Sequence, residues 1–387
     1  MSLKPLFIAF VFAINTFHFI PLEKKLISTE PIDTISTVTL SFVGDLMCHS
    51  VQYNYAQKGK DSFDFKPVYR FVSNYFNQSD FVAGNFETVT AGVRQTYSGY
   101  PNFNSPDAFL KDLQDVGFKF LFTSNNHSFD RGEIGVLRTL DIVNSTKLGQ
   151  TGTYRSFTDR DSIRIININN ISFAFLAYTY GVNGKLIPKG KEYLVNLIDT
   201  MKIRSDIEFV REKVDCIIVY FHFGEEYKRE PNHYQRMIVQ KTVESGADVI
   251  IGSHPHVIQP IDILKSKGRI DSVLVAYSLG NFISNQRWRY SDAGVILNIQ
   301  INKHSNNENI KLGKVDFVPT YVFKGTTNLG REYIIIPDNT TYQDSISKFM
   351  LKNEIADMKT SFLDTYEILT KYSSRPSKRE YFSKNTY

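Results

Sequence analysis

Short apolar runs recur along the chain and alternate with segments that have helical periodicity. The runs are nearly continuous in apolar residues, which is typical of strands buried on both faces of a sheet. They cover residues 36–47, 81–87, 119–127, 216–224, 247–256 and 273–282. Because strands and helices alternate, the pattern predicts an α/β fold with a substantial buried sheet.

The segments between the runs carry signals for helix starts and ends. Ser105 is placed to cap a helix, Pro106 suits its first position and Gly117 suits its end. Further helices are predicted over residues 133–145, 199–214, 231–245 and 341–371. From Gly294 onward the alternation is typical of antiparallel strands, which indicates the far side of a mixed sheet.

The beginning of the chain combines a basic residue with a long apolar run. Lys4 precedes residues 5–22, which carry no charge, and this arrangement is typical of a secretory signal peptide or an uncleaved signal anchor. The alternative is a buried first helix or strand. Either targeting segment would make the protein extracytoplasmic, exported or anchored to the cytoplasmic membrane. The predicted divisions are a signal peptide or anchor (1–27), a linker (28–37), the main domain (38–340), and a C-terminal helix with a basic tail (341–387).

Composition excludes several classes of protein. Lys plus Arg number 45 and Asp plus Glu number 40, so the net charge of +5 is too small to indicate a nucleic-acid partner. Two cysteines, Cys48 and Cys216, cannot build a disulfide framework or a thiolate zinc site. No nucleophile-elbow pattern of glycines surrounds Ser124 or Ser253, which argues against a serine hydrolase.

Histidines and carboxylates follow the ends of the predicted strands. In α/β sheets, ligands bind beyond the carboxyl ends of the strands, so these side chains should converge in one crevice. Imidazole and carboxylate together suit Mn, Zn or Fe, and we predict one or two divalent ions, with Asp45 or Glu87 able to bridge a pair. The alternative is structural, because a single histidine at the end of a strand is more often a hydrogen-bonded core residue than a metal ligand. The candidate metal ligands are Asp45, Glu87, Asn126, His127, His222, His254 and His256.

Three residues are also candidates for catalysis. His127 and Asn126 could bind a metal ion or orient the substrate, and Asp130 is placed to support a histidine. Glu225, followed by Glu226, could act as a general acid or base beside a metal site. The alternative for these two carboxylates is a solvated loop. The candidate catalytic residues are therefore His127, Asn126 and Glu225.

Six motifs together resemble one known family. They are SFVGDLM, GNFET, SNNHSFDRGEIG, FHFGEEY, GADVIIGSHPHV and AYSLGNF, and they occur in this order within residues 38–286. They resemble the CapA family, which is named for capsule and poly-γ-glutamate biosynthesis and is similar in fold to calcineurin-like metallophosphoesterases. The resemblance implies a metallophosphatase-like αββα sandwich with mixed sheets. It also implies an anionic surface polymer or its precursor as a partner, together with other membrane proteins of capsule synthesis or export.

The motifs also depart from those of metallophosphoesterases. Asp45 is followed by Leu46 and Met47 where that family has Asp-x-His, and Ser128 replaces an acid used in catalysis. Two functions therefore stay open. The first is a metal-dependent hydrolase or transferase that acts on an anionic cell-surface polymer, and the second is a non-catalytic, membrane-tethered subunit of a polymer synthase or export complex. A secreted nucleotidase or phosphodiesterase would follow from fold analogy alone.

Overall fold

A computed structural model of the protein describes Met1 and residues 34–305, 307 and 309–379. The predicted signal peptide or anchor lies outside these residues, apart from Met1, and stays a prediction. Within the described ranges, no helix has the length and apolar character needed to cross a membrane.

The first sheet is mixed and is built around β1 (Ile35–Leu46). Its other strands are β4 (Phe81–Phe86), β5 (Phe120–Phe122), β6 (Gly149–Thr151), β13 (Asn281–Ile283), β14 (Ala293–His304), β15 (Ile310–Thr327), β16 (Gly330–Pro337) and β17 (Ser377–Lys378). The main order is β16-β15-β14-β1-β4-β5-β6, while β13 pairs with β1 and β17 with β15. Strands β1, β4, β5 and β6 are parallel to one another, whereas β14 to β16 are antiparallel, as the sequence predicts.

The second sheet has the order β11-β12-β10-β9-β8-β7. Its strands are β7 (Arg164–Ile168), β8 (Ile171–Thr179), β9 (Cys216–His222), β10 (Val249–Ser253), β11 (Ile261–Lys265) and β12 (Ser272–Ala276). The four inner strands are parallel and the two edge strands are antiparallel to their neighbours. A separate hairpin joins β2 (Gln57–Gly59) to β3 (Ser62–Phe63).

The two sheets pack face to face, with helices on their outer faces. Phe81 of the first sheet lies 5.0 Å from Phe175 of the second between ring centroids, and Phe122 stacks on Tyr220 at 4.4 Å. The helices are α1 (Ser50–Ala56), α2 (Ser73–Phe76), α3 (Asp107–Asp115), α4 (Gly132–Asn144), α5 (Phe157–Asp161), α6 (Thr200–Arg211), α7 (His233–Glu244), α8 (Gln343–Ile346) and α9 (Lys352–Leu369). Helix α3 packs on the first sheet, and α6 and α7 pack on the second. This arrangement confirms the αββα sandwich.

Several predicted boundaries differ from the structure near the site. Strand β1 begins at Ile35, within the predicted linker. The strand predicted over 119–127 ends at Phe122 because the following residues turn, and the Ser128 hydroxyl donates to the Thr123 carbonyl at 2.5 Å. The strand predicted over 273–282 is divided into β12 and β13, and Gly280 between them has a φ of 67°.

Other differences concern helices and one whole strand. Pro106 caps α3 instead of starting it, and the Ser105 hydroxyl bonds to that of Thr88 at 2.7 Å. The helix predicted over 341–371 is divided into α8 and α9, and part of the predicted basic tail, Ser377–Lys378, forms β17 against β15. Strand β8 lies inside the second sheet but is absent from the strands predicted above. Cys48 and Cys216 are both buried and unpaired.

Candidate metal centre

Strand ends from both sheets meet at one buried cluster. Asp45 lies near the end of β1, Glu87 follows β4, His222 ends β9, and His254 and His256 follow β10. Their side chains are at most 3% exposed. Because β1 and β4 are parallel in one sheet and β9 and β10 are parallel in the other, their carboxyl ends converge between the sheets.

Close backbone packing fixes the position of Asp45. The Asp45 N–H donates to the Gly280 carbonyl at 2.9 Å, just where the register between β1 and β4 shifts. A Cβ atom on Gly44 would lie 1.9 Å from the Gly280 oxygen, so a larger residue cannot replace Gly44 without displacing the backbone. The local sequence therefore holds the Asp45 carboxylate against the strand that carries Asn281.

A strained turn presents two histidines to the cluster. His254 has a φ of 104° and His256 a φ of 57°, values that residues with a side chain rarely adopt. Such conformations cost about 1–3 kcal/mol each and persist where the surrounding structure enforces them. The imidazole of His254 lies 4.7 Å from that of His222 and 6.0 Å from that of His256, between ring centroids. The turn thus brings all three rings into one cluster.

The potential ligand atoms form two overlapping triads. The histidine-rich half is Glu87, His222 and His254, and the acid-rich half is Asp45, Glu87 and His256. Within each half, the potential ligand atoms lie within 4.8 Å of one another. Glu87 Oε1 lies 3.6 Å from His222 Nε2 and 3.8 Å from His256 Nε2. Atoms that bind one ion at about 2.0–2.2 Å lie roughly 3–4 Å apart, so Glu87 is placed to belong to both halves.

Two atoms in this cluster are buried without a hydrogen bond. Glu87 Oε1 and His254 Nδ1 have no partner among the residues that the structure describes. Leaving a buried polar atom unpaired costs about 1–3 kcal/mol, which a bound cation would offset. Carboxylate and imidazole are also the ligand types that Mn, Zn and Fe accept. The residues therefore fit a divalent metal centre.

The protonation states of two histidines in the cluster suit metal binding. Burial, and next the charge of Asp45, raise the pKa of Glu87 well above its ordinary value. Burial acts the same way on Asp45, but the hydrogen bond and charge of His256 outweigh it and lower the Asp45 pKa. Burial and neighbouring imidazoles lower the pKa of His222, and that of His254 to about 3. Both of these histidines are therefore neutral at physiological pH, as metal ligands must be.

Asn85 connects the carboxylates, although it is absent from the predicted ligands. Its amide nitrogen donates to Asp45 Oδ1 at 2.8 Å and to Glu87 Oε2 at 3.2 Å. Its oxygen accepts from the Asn125 amide at 3.1 Å. A polar residue inside the otherwise apolar strand β4 was the available signal in the sequence.

Asn126 extends the histidine-rich half. Its Oδ1 lies 2.9 Å from His222 Nε2, and its Nδ2 donates to Asn183 at 3.1 Å. His127 is in neither triad, and its Nδ1 pairs with Asp130 Oδ2 at 2.7 Å. The structure thus places Asn126 in contact with the histidine-rich half and His127 in a separate His–Asp dyad.

Two polar residues near the motifs take other roles. The Glu225 carboxylate is exposed and accepts a hydrogen bond at 3.1 Å from Asn232, the N-cap of α7. His49 precedes α1, and its Nδ1 lies 3.1 Å from Gln52. Burial lowers the pKa of His49 to about 4. The structure therefore does not bring Glu225 or His49 into either triad.

Aromatic side chains border the cluster. The Tyr180 ring lies 4.6 Å from that of His254, and the Tyr227 ring lies 6.2 Å from that of His256 and 5.3 Å from Trp288. These three aromatic residues are 40–51% exposed. Tyr180 follows β8, so the apolar run of that strand was the signal that could have identified it.

Comparison with known proteins places this chain in a family. Residues 39–286 match the family described as bacterial capsule synthesis protein PGA_cap. The chain is 28% identical over 319 residues to the PGA biosynthesis protein CapA of Bacillus subtilis (strain 168), covering 79% of this chain and 76% of that protein. It is also 28% identical over 298 residues to the capsule biosynthesis protein CapA of Bacillus anthracis, covering 75% and 68%.

Solved structures with related folds are more distant in sequence. A putative 5'-nucleotidase from Staphylococcus aureus is 12% identical, with a TM-score of 0.46, and the match covers 86% of this chain and 59% of that one. A hypothetical protein from Thermus thermophilus is 12% identical, with a TM-score of 0.43 and coverages of 77% and 100%. On the family match over residues 39–286, the chain belongs to the bacterial capsule synthesis protein family PGA_cap.

Proposed function

We propose that this protein is a metal-dependent hydrolase or transferase that acts on an anionic capsule polymer, or on its precursor, outside the cytoplasm. The observation that carries the proposal is the pair of buried triads that share Glu87, whose Oε1 has no hydrogen-bond partner in the described part of the chain. The polymer class is supported by family membership and by the names of the two Bacillus relatives. The extracytoplasmic location rests on the apolar start of the sequence.

The two halves would hold divalent ions with different ligand sets. Glu87, His222 and His254, with Asn126, would hold one ion, and Asp45, Glu87 and His256 would hold the other. Ions bound here would supply a water of pKa near 7 and positive charge opposite an anionic group of the substrate.

His127 would move a proton in the proposed reaction. Asp130 accepts from its Nδ1, which keeps the proton on that nitrogen and orients Nε2 for exchange with the substrate. The Asp130 carboxylate is itself fixed, because Oδ2 also accepts from the Phe103 N–H at 2.6 Å. General acid–base catalysis of this kind contributes about 10²–10⁴-fold to a rate.

The aromatic border would bind and orient the substrate. Burial raises the pKa of Tyr180 and of Tyr227 to about 12. Both hydroxyls therefore stay protonated and can donate hydrogen bonds to carboxylate or phosphate oxygens. Trp288 extends the border on the Tyr227 side.

One observation favours the second candidate function, a non-catalytic subunit of a polymer synthase or export complex. Met47 stands where metallophosphoesterases carry a histidine ligand, and it is buried beside Ser284, whose hydroxyl lies 3.6 Å from the sulfur. The acid-rich half consequently has a smaller set of strong ligands than the fold usually provides.

Metal content and polymer production together test the proposal. The full-length chain, purified without chelator and incubated with Mn, Zn or Fe, should hold one or two ions by mass spectrometry of the dissolved protein. The His254→Ala/His256→Ala variant should lose them, while His233→Ala, an exposed histidine at the start of α7, should retain them.

The same variants separate the two candidate functions in cells. The double variant should abolish surface polymer at an unchanged protein level, and His233→Ala should not. Polymer made normally by the metal-free double variant would contradict the catalytic proposal. Absence of metal from the wild type would contradict the metal centre and favour the non-catalytic subunit.

A further inference from the structure

Asn281 is held against the acid-rich half from two sides. It is the first residue of β13 and lies opposite Asp45 in the parallel pairing of β13 with β1. On the other side, a Cβ atom on Gly294 would lie 2.3 Å from the Asn281 carbonyl oxygen, so β14 also approaches closely. The side chain is fully buried. Its position therefore cannot relax easily.

Hydrogen bonds fix the orientation of the Asn281 amide. Its Nδ2 donates to the Ser291 carbonyl at 3.0 Å and to Gln286 Oε1 at 3.2 Å. A backbone carbonyl can only accept, so the amide cannot be reversed without losing this bond. The oxygen must then face the cluster, and it lies 3.1 Å from His256 Nδ1.

The surroundings of His256 define the location of its proton. Nδ1 faces two acceptors, Asn281 Oδ1 and, at 3.0 Å, Asp45 Oδ2. The proton therefore belongs on Nδ1, and Nε2 presents its lone pair on the side of Glu87 Oε1, 3.8 Å away. Asp45 is itself a potential ligand, whereas the neutral Asn281 amide has its donors engaged elsewhere.

We propose that Asn281 is a positioning residue that keeps His256 as the Nδ1–H tautomer, with Nε2 directed into the acid-rich half, when the Asp45 carboxylate binds an ion. Without Asn281, one carboxylate would have to serve both as metal ligand and as acceptor for its neighbouring histidine. Partners that hold a metal-binding histidine in this way typically change metal affinity about 10–100-fold. This inference rests on the proposed metal centre.

Titration of the full-length, metal-free chain with Mn²⁺ tests the inference. Calorimetry gives the affinity of each half, and electron paramagnetic resonance distinguishes a coupled pair of Mn²⁺ ions from a single ion. Asn281→Ala should weaken one of the two sites by about 10–100-fold and leave the other unchanged. At matched Mn²⁺ concentration, the coupled signal should be replaced by that of a single ion.

Two further variants separate positioning from a general structural role. Asn281→Asp retains an oxygen acceptor for His256 Nδ1 but loses the donor to the Ser291 carbonyl, so it should restore the second site in part. Gln286→Ala removes one partner of Asn281 Nδ2 while the Ser291 carbonyl remains, so it should bind both ions as the wild type does. If Asn281→Ala does not fold by thermal melting, Asn281→Ser removes the same acceptor with a smaller cavity, and the same loss of one site is expected.

The outcomes distinguish this inference from the proposed function. Wild-type affinities at both sites of Asn281→Ala would overturn the inference and leave the metal centre intact. Equal weakening of both sites would also overturn it, because a general structural effect would then suffice. Failure of the wild type to bind Mn²⁺, Zn²⁺ or Fe²⁺ would overturn the metal centre itself.

Discussion

The two halves of the cluster share Glu87 but differ in how their other atoms are engaged. In the histidine-rich half, His254 Nδ1 lacks a hydrogen-bond partner within the described ranges, and burial keeps its ring neutral. In the acid-rich half, both Asp45 oxygens are engaged, one by Asn85 and the other by His256. In the first half the unpaired His254 Nδ1 is open to an ion, and only His222 Nε2 must exchange its contact with Asn126 Oδ1 for a metal bond. In the second half, both Asp45 oxygens must exchange hydrogen bonds for metal bonds. We therefore expect the histidine-rich half to bind its ion more tightly.

The largest effect is expected from Glu87, because both halves include it. Glu87→Gln keeps the shape of the side chain but removes the negative charge that two ions would share. The full-length variant should lose both ions, measured as metal per chain after dialysis. Glu225→Gln, at an exposed carboxylate, is the matched control and should keep both. Loss of a single ion would show that Glu87 serves one half only.

Single histidine variants should separate the halves. His254→Ala should remove the tighter ion, and His256→Ala the weaker one, because each belongs to a different triad. Titration with Mn²⁺ should then give one remaining site in each variant, with a higher affinity in His256→Ala. Identical remaining affinities would contradict the difference between the halves.

The His127–Asp130 dyad should affect the reaction without affecting either ion. Asp130→Asn keeps the size of the side chain but weakens the acceptor of His127 Nδ1. Metal per chain should stay at the wild-type value, while surface polymer in cells should fall. His127→Gln should give a stronger loss, consistent with about 10²–10⁴-fold for acid–base catalysis. A loss of metal in either variant would place His127 among the ligands instead.

The smallest effect on the centre is expected at Asp292, which follows Ser291 at the back of the acid-rich half. Its Oδ1 is buried without a partner among the described residues, and burial raises its pKa from 3.8 to about 6. The folded chain therefore binds more protons than the unfolded chain between these values. Ionisation of Asp292 lowers the free energy of unfolding as pH rises through this window.

Asp292→Asn should accordingly stabilise the metal-free chain by about 2–3 kcal/mol at pH 7.5. The gain should disappear below about pH 4, where Asp292 is protonated in both states. Urea unfolding of wild type and variant at the two pH values measures this difference. The number of ions bound per chain should be the same in Asp292→Asn as in the wild type. The protein next to the acid-rich half can then be stabilised without altering the metal ligands. A gain that is independent of pH would contradict the role of ionisation.

Local patterns in the sequence determined much of this protein. Continuous apolar runs predicted β1, β4, β9 and β10. A strand that is buried on both faces is apolar along most of its length, and this is visible in its own sequence. The polar residues after those runs included Asp45, Glu87, His222, His254 and His256, all of which meet in the structure. The general rule that ligands bind at the carboxyl ends of strands selected them, together with His127, which belongs to neither triad.

The tertiary structure decided which polar groups contact one another. Asp45 and His256 are 211 residues apart in the chain, and their contact depends on the packing of two sheets. The roles of Asn85 and Asn281, the dyad of His127 and the distance of Glu225 from the triads depend on such contacts. Hydrophobic periodicity predicts only whether a side chain is buried. The hydrophobic effect depends on the apolar area removed from water and not on which residue the side chain contacts. Hydrogen bonds and metal sites require particular partners at short distances, and these are set once the sheets have packed.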